Sequence, residues 1–516
     1  MNILLIDPKI YAWGYSAPKS IDPYGLICVA TFLNHKGHRA EILDMNASDV
    51  SWEELRSVIK GKNPDIVGVP SSMNCYIPES LEVVKTAKLA NPNIITLGGG
   101  INFTLNSVNI MKQAPELDFI VRGDGEYTSL ELITALENGG KDLDKIQGIT
   151  YRSEGKIRAN PDRPPIMDLD SLPSPNWDLI DMDKYGMNAF PPQWGEQVML
   201  TISRGCPNHC RYCSPTLAAQ KYRELSAERA LELLTILRRK YNRRMIWLND
   251  LTFGVNEERT AKLLEGIIRD KLDINIVVDM TVELVIKRQN LLPLMRKAGF
   301  QYIDIGVESP IEEDHRKYQD KAKGRHKAEE AFRLLRKNKI LPAGYFMIGE
   351  VEHTTKEIRR IRELAEKLDP AIAFFCFVNP QPGTPYYEDV KEYIVTDDLS
   401  SYGEFGPVMK YPHLSDNQIR MLYREVWISY YARPTRILRR LLFGGTQGRS
   451  FYTTVAFQKK WGWELEEVWR RTDWQGWGED YNELKKWARK ELGLTGFIPR
   501  LEEIEKSILK RWDKTG

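Results

Sequence analysis

Ser203-Arg204-Gly205-Cys206-Pro207-Asn208-His209-Cys210-Arg211-Tyr212-Cys213-Ser214-Pro215 is the stretch around which the chain is organised. Three cysteines at CxxxCxxC spacing follow an apolar run, Val198-Met199-Leu200-Thr201-Ile202, in a segment punctuated by Gly205, Pro207 and Pro215. On a helix these thiols would point to different faces, whereas a loop can curl them toward one small object. Converging thiolates imply a metal. Structural zinc takes four Cys or His ligands, and His209 adjoins Cys210 too closely to complete such a set without strain. A [4Fe-4S] cube is held by thiolates, and three of them leave one iron open for chemistry. The plainer reading is three buried thiols or a zinc knuckle. Cys28, Cys75 and Cys376 lie in apolar or mixed segments and read as packing residues.

A length of 516 residues suggests about three domains. Hydrophobic content of 42% and charged content of 28% are those of a globular chain with more than one core. Lys+Arg 73 against Asp+Glu 71 argues against a general polyanion binder and leaves room only for a local basic face. The opening residues, Met1 to Pro8, lack a basic leader, and no uninterrupted apolar run reaches the roughly 18 residues of a membrane span. An oxygen-labile cluster requires a reducing interior, so a cytoplasmic, anaerobic setting is expected.

Residues 1–150 alternate β-rich runs (Ile3 to Ile6, Arg39 to Leu43, Ile66 to Val69, Ile94 to Leu97, Phe119 to Val121) with amphipathic stretches such as Leu26 to Lys36 and Pro78 to Leu89. That alternation predicts βαβ units and a parallel sheet, whose ligands sit beyond the carboxyl ends of the strands. Three ends stand out: Asp7-Pro8, Ser71-Ser72-Met73-Asn74-Cys75-Tyr76 and Gly98-Gly99-Gly100. Phe103 occupies the third glycine position of a dinucleotide fingerprint, which sets that motif aside. Small residues after neighbouring strands instead predict a flat shelf that lets a broad ligand approach the backbone. Residues 151–195, rich in proline, read as a linker. In residues 196–390 strands recur at Met245 to Leu248, Ile274 to Val278, Tyr302 to Val307, Ala343 to Ile348 and Ile372 to Val378, which with the cysteine strand predict an open (β/α)6 barrel, its chemistry at the C-terminal strand ends. Residues 391–516 hold a helical pattern over Leu414 to Tyr431 and eight of the thirteen tryptophans after residue 420, which predict a packed helical domain covering or docking substrate, with nucleic acid a distant reading.

The CxxxCxxC loop after a strand, with Tyr212 before its last cysteine, resembles the signature of the radical S-adenosylmethionine (SAM) superfamily. Tyr24-Gly25-Leu26, Pro64-Asp65-Ile66-Val67-Gly68, Ser71-x-Met73, Leu97-Gly98-Gly99 and Val121-Arg122-Gly123-Asp124-Gly125-Glu126 resemble the cobalamin-binding domain of its class B enzymes. The resemblance implies an α/β chain with a Rossmann-like cobalamin domain, a partial TIM-like radical SAM barrel and a helical C-terminal domain. It implies three cofactors. The [4Fe-4S] cluster falls to Cys206, Cys210 and Cys213, and SAM to Tyr212, Asn249, Asp250, Thr281, Glu283, Glu308, Ser309 and Gln381, with Glu308 and Ser309 ranked first. Cobalamin falls to Asp7, Ser71, Ser72, Met73, Asn74, Tyr76, Gly98, Gly99, Gly100, Gly123 and Glu126. The Asp-x-His-x-x-Gly motif that ligates cobalt in many B12 proteins has no counterpart among the seven histidines, so binding without a lower imidazole is expected, over the Met73 to Tyr76 loop. The activity implied is methyl transfer from SAM, through cobalamin, to an unactivated carbon, with an external flavodoxin- or ferredoxin-type reductant. A protein or peptide side chain is the expected acceptor, as in similar enzymes acting on methyl-coenzyme M reductase. The alternatives are an oxidative cyclase or rearrangement enzyme acting on a tetrapyrrole or other small molecule, and a non-catalytic cobalamin binder or sensor.

Overall fold

The computed structural model describes residues 1–9, 21–71, 76–186, 194–219, 221–314, 327–403 and 406–431. Its N-terminal sheet takes β1 (Asn2–Asp7), β2 (Arg39–Asp44), β3 (Ile66–Pro70), β4 (Ile95–Gly99), β5 (Phe119–Val121), β6 (Ile149–Ser153) and β7 (Lys156–Ala159) in the order β2-β1-β3-β4-β5-β6-β7. The first five strands are parallel. Their residues alternate faces: Leu4, Ile6, Val67 and Val69 pack under α2 (Trp52–Lys62), α3 (Ile77–Ala90) and α4 (Ile101–Gln113), while Ile3, Leu5, Ile66 and Val121 pack under α1 (Tyr24–His35) and α5 (Gly125–Glu137). Helices on both faces make the sheet doubly wound, with the ends of β1, β3 and β4 on one edge.

The antiparallel pair β6 and β7 carries this sheet into the stretch read as linker. Its turn, Glu154-Gly155, has φ of 50° and 72°, the positive values a two-residue hairpin needs. β6 is buried at Ile149, Thr150 and Tyr151, but β7 is largely exposed and leaves no apolar pattern, so within the stretch read as linker the turn is the signal.

The second sheet takes β8 (Gln197–Leu200), β11 (Met245–Leu248), β12 (Asn275–Thr281), β13 (Phe300–Glu308), β14 (Leu341–Ile348) and β15 (Ile372–Phe377), all parallel and in chain order. Between them a short antiparallel ribbon, β9 (Ser203–Arg204) with β10 (Arg223–Glu224), flanks α6 (Ser214–Ala219). Outward residues such as Val278, Ile305 and Phe375 share one core with α7 (Ala227–Arg239), α8 (Glu257–Arg269), α9 (Val282–Lys287), α10 (Leu292–Lys297), α11 (Ala328–Lys337) and α12 (Thr355–Leu368). Helices on one face curl the sheet, but β8 and β15 do not pair. The result is an open partial barrel. Trp194, Met245, Val277, Tyr302 and Ala343 pack together on its inner face, toward the N-terminal ends of the strands. After the short α13 (Pro385–Val390), α14 (Asp416–Tyr431) packs on the outer face of β15, with Tyr423 stacked on Phe377 at 4.6 Å and Trp427 edge-on to Phe375 at 5.6 Å. The rest of the expected C-terminal domain and seven of its tryptophans lie outside the described residues. Among the described residues no helix is long and apolar enough to cross a membrane.

Candidate active site

The cysteine loop is clamped at its base. Arg204 pairs with Arg223 and Ser203 with Glu224 across the ribbon, and Gly205 then turns the chain with φ of 79°. From the barrel side, Asp250 at the end of β11 accepts hydrogen bonds from the backbone N–H of Ile202 (2.9 Å) and Ser203 (3.0 Å). Burial pushes its carboxyl up to about 6 despite those donors, which act the other way. From the N-terminal side, Arg204 donates to Asp124 (2.9 Å) and Glu126 (2.6 Å) at the start of α5, and Arg223 donates to Asp124 (2.6 Å).

Cys206 and Cys210 are buried, Cys213 is half-buried, and none of the three is in a disulfide. Cys206 Sγ accepts from Asn208 Nδ2 at 3.3 Å and lies 3.2 Å from Thr252 Oγ1. Tyr212, between the last two cysteines, donates to Glu308 Oε1 at 2.9 Å, and its phenol is raised by burial, then by Glu308, Cys210 and Cys213. Glu308 ends β13 with φ of 65°, where the register with β14 slips. A left-handed glutamate is costly, and such strain clusters at functional sites.

The other rim residues divide. Asn249 and Glu283 are solvent-exposed. Thr281 caps α9, accepting from Leu284 N–H at 3.2 Å. Ser309 is fully buried and faces away into a polar chain: its hydroxyl meets Asp314, whose Oδ2 lies 3.0 Å from His353 Nε2. His353 Nδ1 in turn accepts from the backbone N–H of Gly349 and Glu350, each at 3.3 Å. Thus Ser309, ranked first with Glu308, braces the rim, and His353 was unread although it stands just past the end of β14. Gln381 is half-buried, and its carbonyl caps the turn at Thr384 (2.7 Å).

On the N-terminal sheet Ser71 N–H donates to Gly99 O at 2.9 Å, and Gly100 has φ of 102° with its missing Cβ 2.7 Å from Ser71 O. A Cβ at Gly98 would meet the Phe103 ring at 2.8 Å, so Gly98 is small to admit Phe103; Gly99, half-buried, and Gly100, exposed, form an open edge. Asp7 and Asp44 are register partners at the ends of β1 and β2, and burial followed by Asp44 raises the Asp7 carboxyl well above the usual range. Tyr76 precedes α3, and its carbonyl accepts from Ser80 at 3.1 Å. Gly123 is exposed and its N–H donates to Thr104 at 3.0 Å. Glu126 turns to Arg204 rather than to the shelf. Ser72, Met73, Asn74 and Cys75 lie outside the described residues. Of the other two cysteines read as packing residues, Cys28 is in α1 with its thiol pushed by burial up to about 12, while Cys376 falls on the inner barrel face, half-buried.

Helix α4, which rises from this glycine edge, packs along α6, which closes the cysteine loop. Asn106 of α4 donates to Pro382 O at 2.8 Å, and Gly383 has no room for a Cβ beside Leu105 (2.9 Å). Shelf and cysteine loop therefore meet through one helix pair.

Residues 14–133 match the B12 binding domain family and residues 200–365 the radical SAM superfamily. An uncharacterized methyltransferase, PH0819, of Pyrococcus horikoshii is 32% identical over 449 residues, 85% of this chain and 94% of that one. The chain belongs to the cobalamin-dependent radical SAM methyltransferase family. This methyltransferase-family enzyme also resembles the anaerobic magnesium-protoporphyrin IX monomethyl ester cyclase of Rubrivivax gelatinosus, 27% identical over 80% of this chain and 74% of that one. Its fold is that of the radical SAM methyltransferase TsrM from Kitasatospora setae, solved with cobalamin and a [4Fe-4S] cluster bound, with a TM-score of 0.66, 18% identity, and 83% and 85% of the two chains covered.

The family's cofactors are cobalamin, a [4Fe-4S] cluster and SAM, and the donor sets fit them. Among the described residues no three His, Cys, Asp or Glu side chains converge on one ion. A cube needs no such point, because each thiolate takes its own iron, and donors aimed at a ligating sulfur tune the cluster. At the shelf, Asn102, just inside α4, is 1% exposed with neither amide atom hydrogen-bonded. An orphaned buried amide beside an open glycine edge suits a ring fringed with amides.

Proposed function

We propose that this enzyme is a C-methyltransferase acting on an unactivated carbon of a protein or peptide side chain, with Cys206, Cys210 and Cys213 holding the cluster. The observation that carries this reading is the packing of α4, from the glycine edge, on α6, from the cysteine loop, which sets the two cofactor platforms against each other. When bound, the cofactors supply a transferable methyl group and a hydrogen-abstracting radical, both derived from SAM. The chain's residues then have positioning work. Arg204 ties the loop to the cobalamin domain and Asp250 ties it to the barrel. Tyr212 and Glu308 close one side of the loop, excluding water where radical chemistry needs it excluded. Among the described residues β8 and β15 do not pair, and that gap in the barrel wall is what supports an acceptor presented on a larger molecule.

The test is anaerobic protein, reconstituted with iron, sulfide and hydroxocobalamin, given reductant, SAM with a deuterated methyl group, and a peptide digest. Labelled methyl on a peptide carbon is the expected result. 5′-Deoxyadenosine formed with no labelled product in peptide or small-molecule fractions points instead to the cyclase class. Cys206→Ala, Cys210→Ala and Cys213→Ala should each abolish 5′-deoxyadenosine formation while cobalamin stays bound; cleavage retained after reconstitution would overturn the ligand assignment.

A further inference from the structure

The turn that follows β11, Asn249 to Phe253, meets the cysteine loop at two places. Asp250 holds the base of the loop through the N–H groups of Ile202 and Ser203. Two residues on, Thr252 is 0% exposed and its Oγ1 lies 3.2 Å from Cys206 Sγ. Phe253 anchors the turn, with its ring 5.2 Å from that of Phe300 and its N–H donating to Asp279 O at 2.9 Å. A β-branched side chain beside such an anchor has little freedom at χ1, so the Thr252 hydroxyl stays aimed at the sulfur. From within the loop, Asn208 Nδ2 donates to the same sulfur at 3.3 Å.

Thr252 has one hydroxyl proton and two neighbours, since it also donates to Leu251 O. A thiol at Cys206 can offer its own S–H to Oγ1 and leave that arrangement intact. A thiolate on iron has only lone pairs. It draws the hydroxyl proton away from the neutral carbonyl, because a hydrogen bond to an ionised acceptor is about twice as strong as one between neutral groups. The Asn208 amide is a donor in either case. As a cluster ligand, Cys206 therefore carries two donors on its sulfur, and the one from Thr252 is sealed from water.

Reduction puts one electron from an external reductant onto the cluster and spreads one more negative charge over its irons and sulfurs. Donors to a ligating sulfur stabilise that reduced form more than the oxidised one, which raises the potential. Burial at Thr252 leaves the interaction weakly screened. We propose that Thr252 and Asn208 raise the reduction potential of the cluster through Cys206, bringing it within reach of a flavodoxin- or ferredoxin-type donor. This rests on the reading of Cys206 as a cluster ligand and adds two tuning side chains that are not ligands. Loss of either donor should shift the ratio of reduced to oxidised cluster at a fixed potential roughly threefold or more toward the oxidised form. At about 59 mV per tenfold for one electron, that is a midpoint lower by about 30 mV or more.

The holoenzyme, reconstituted with iron, sulfide and hydroxocobalamin and kept free of SAM, is poised anaerobically over a series of potentials with titanium(III) citrate and mediator dyes. Frozen samples are read by electron paramagnetic resonance, which resolves the reduced cluster from cob(II)alamin. The cluster midpoint should fall by the stated amount in Thr252→Val, which keeps the branched shape, and in Asn208→Ala. Thr252→Ser, which restores the hydroxyl, should return it to the wild-type value. The cob(II)alamin midpoint in the same samples should not move, since among the described residues the hydrogen bonds of both side chains stay within the barrel and its loop. A cluster midpoint unmoved in either loaded variant overturns the proposal, as does a shift in Thr252→Ser equal to that in Thr252→Val, or one shared by cob(II)alamin. If Thr252→Val takes up no iron, Asn208→Ala decides by the same criteria. Failure of the ligand assignment shows separately, as a Cys206→Ala protein that still loads a full [4Fe-4S] cluster. Idle donors instead leave Cys206→Ala without its cluster and the midpoints of the other variants where they were.

Discussion

Gly205→Ala tests whether the ribbon at the base of the cysteine loop sets the position of Cys206. Gly205 has φ of 79°, and a Cβ there would collide with the Lys221 carbonyl oxygen, lie 2.8 Å from that residue's carbonyl carbon and 3.3 Å from Tyr222 Cα. Holding an alanine left-handed costs about 1–2 kcal/mol. Relieving an overlap with backbone, which has no rotamer to yield, adds about 1–3 kcal/mol. The ribbon is only two residue pairs long, so a burden of roughly 2–5 kcal/mol is met by opening it. At tenfold per about 1.4 kcal/mol, the clamped loop falls at least about thirtyfold in population relative to the open one. Iron and sulfide per chain after anaerobic reconstitution should drop several-fold, while cobalamin binding, read from the visible spectrum, should persist. Gly25→Ala is the matched control, since its Cβ meets nothing within 4 Å at the start of α1 and should leave iron content unchanged. Full iron loading and normal SAM cleavage in Gly205→Ala would refute the clamp.

Asp22 accepts from Met199 N–H at 2.8 Å, and burial pushes its carboxyl to about 7. Its folded value exceeds its unfolded one, so its protonated form contributes stability that is present in full below about pH 4 and lost as pH rises through about 7, at about 1.4 kcal/mol per unit. Asp22→Asn keeps the acceptor and should gain on wild type by about 3 kcal/mol between pH 5 and 7; parallel thermal-midpoint profiles would exclude this. Arg204→Met strands Glu126, whose side chain is 4% exposed, without its counter-ion, and should cost about 3 kcal/mol. Limited proteolysis should then cut the proline-rich stretch 151–195 faster than in wild type, and an unchanged rate would show the bridge to be idle.

The two sheets are legible from sequence because each strand is a short apolar run bounded by helical periodicity, and a parallel sheet leaves few other ways to bury such runs. Side-chain assignments were less legible for a physical reason: a polar residue at a strand end has several equally cheap employments. Thr281 became a helix cap and Ser309 joined a buried chain with Asp314 and His353, while Glu308 reached the cysteine loop. Each follows an apolar strand run, and the register slip and left-handed backbone at Glu308 separate it from the rest. Gly98 shows the same limit. Its smallness was readable, but the claimant for the space is Phe103, the residue that had broken the dinucleotide fingerprint.

Contacts between the domains leave no periodic trace, since Arg204 and Glu126 are 78 residues apart. They nevertheless decide what the loop can do. Residues 202–206 are held by Asp250 from the barrel, by Arg223 and Glu224 from the ribbon, and by Asp124 and Glu126 from the cobalamin domain. A segment tied on three sides cannot shift toward one partner without loading the others, because packed elements shift between discrete arrangements rather than deforming smoothly. Arg204 stands two residues before Cys206, so whatever moves the cobalamin domain on the barrel moves Cys206, the first of the proposed cluster ligands, with it. The two sheets are thus held together by the ion pair, by the α4–α6 packing and by hydrogen bonds such as Asn106 to Pro382 and Met199 to Asp22 acting together.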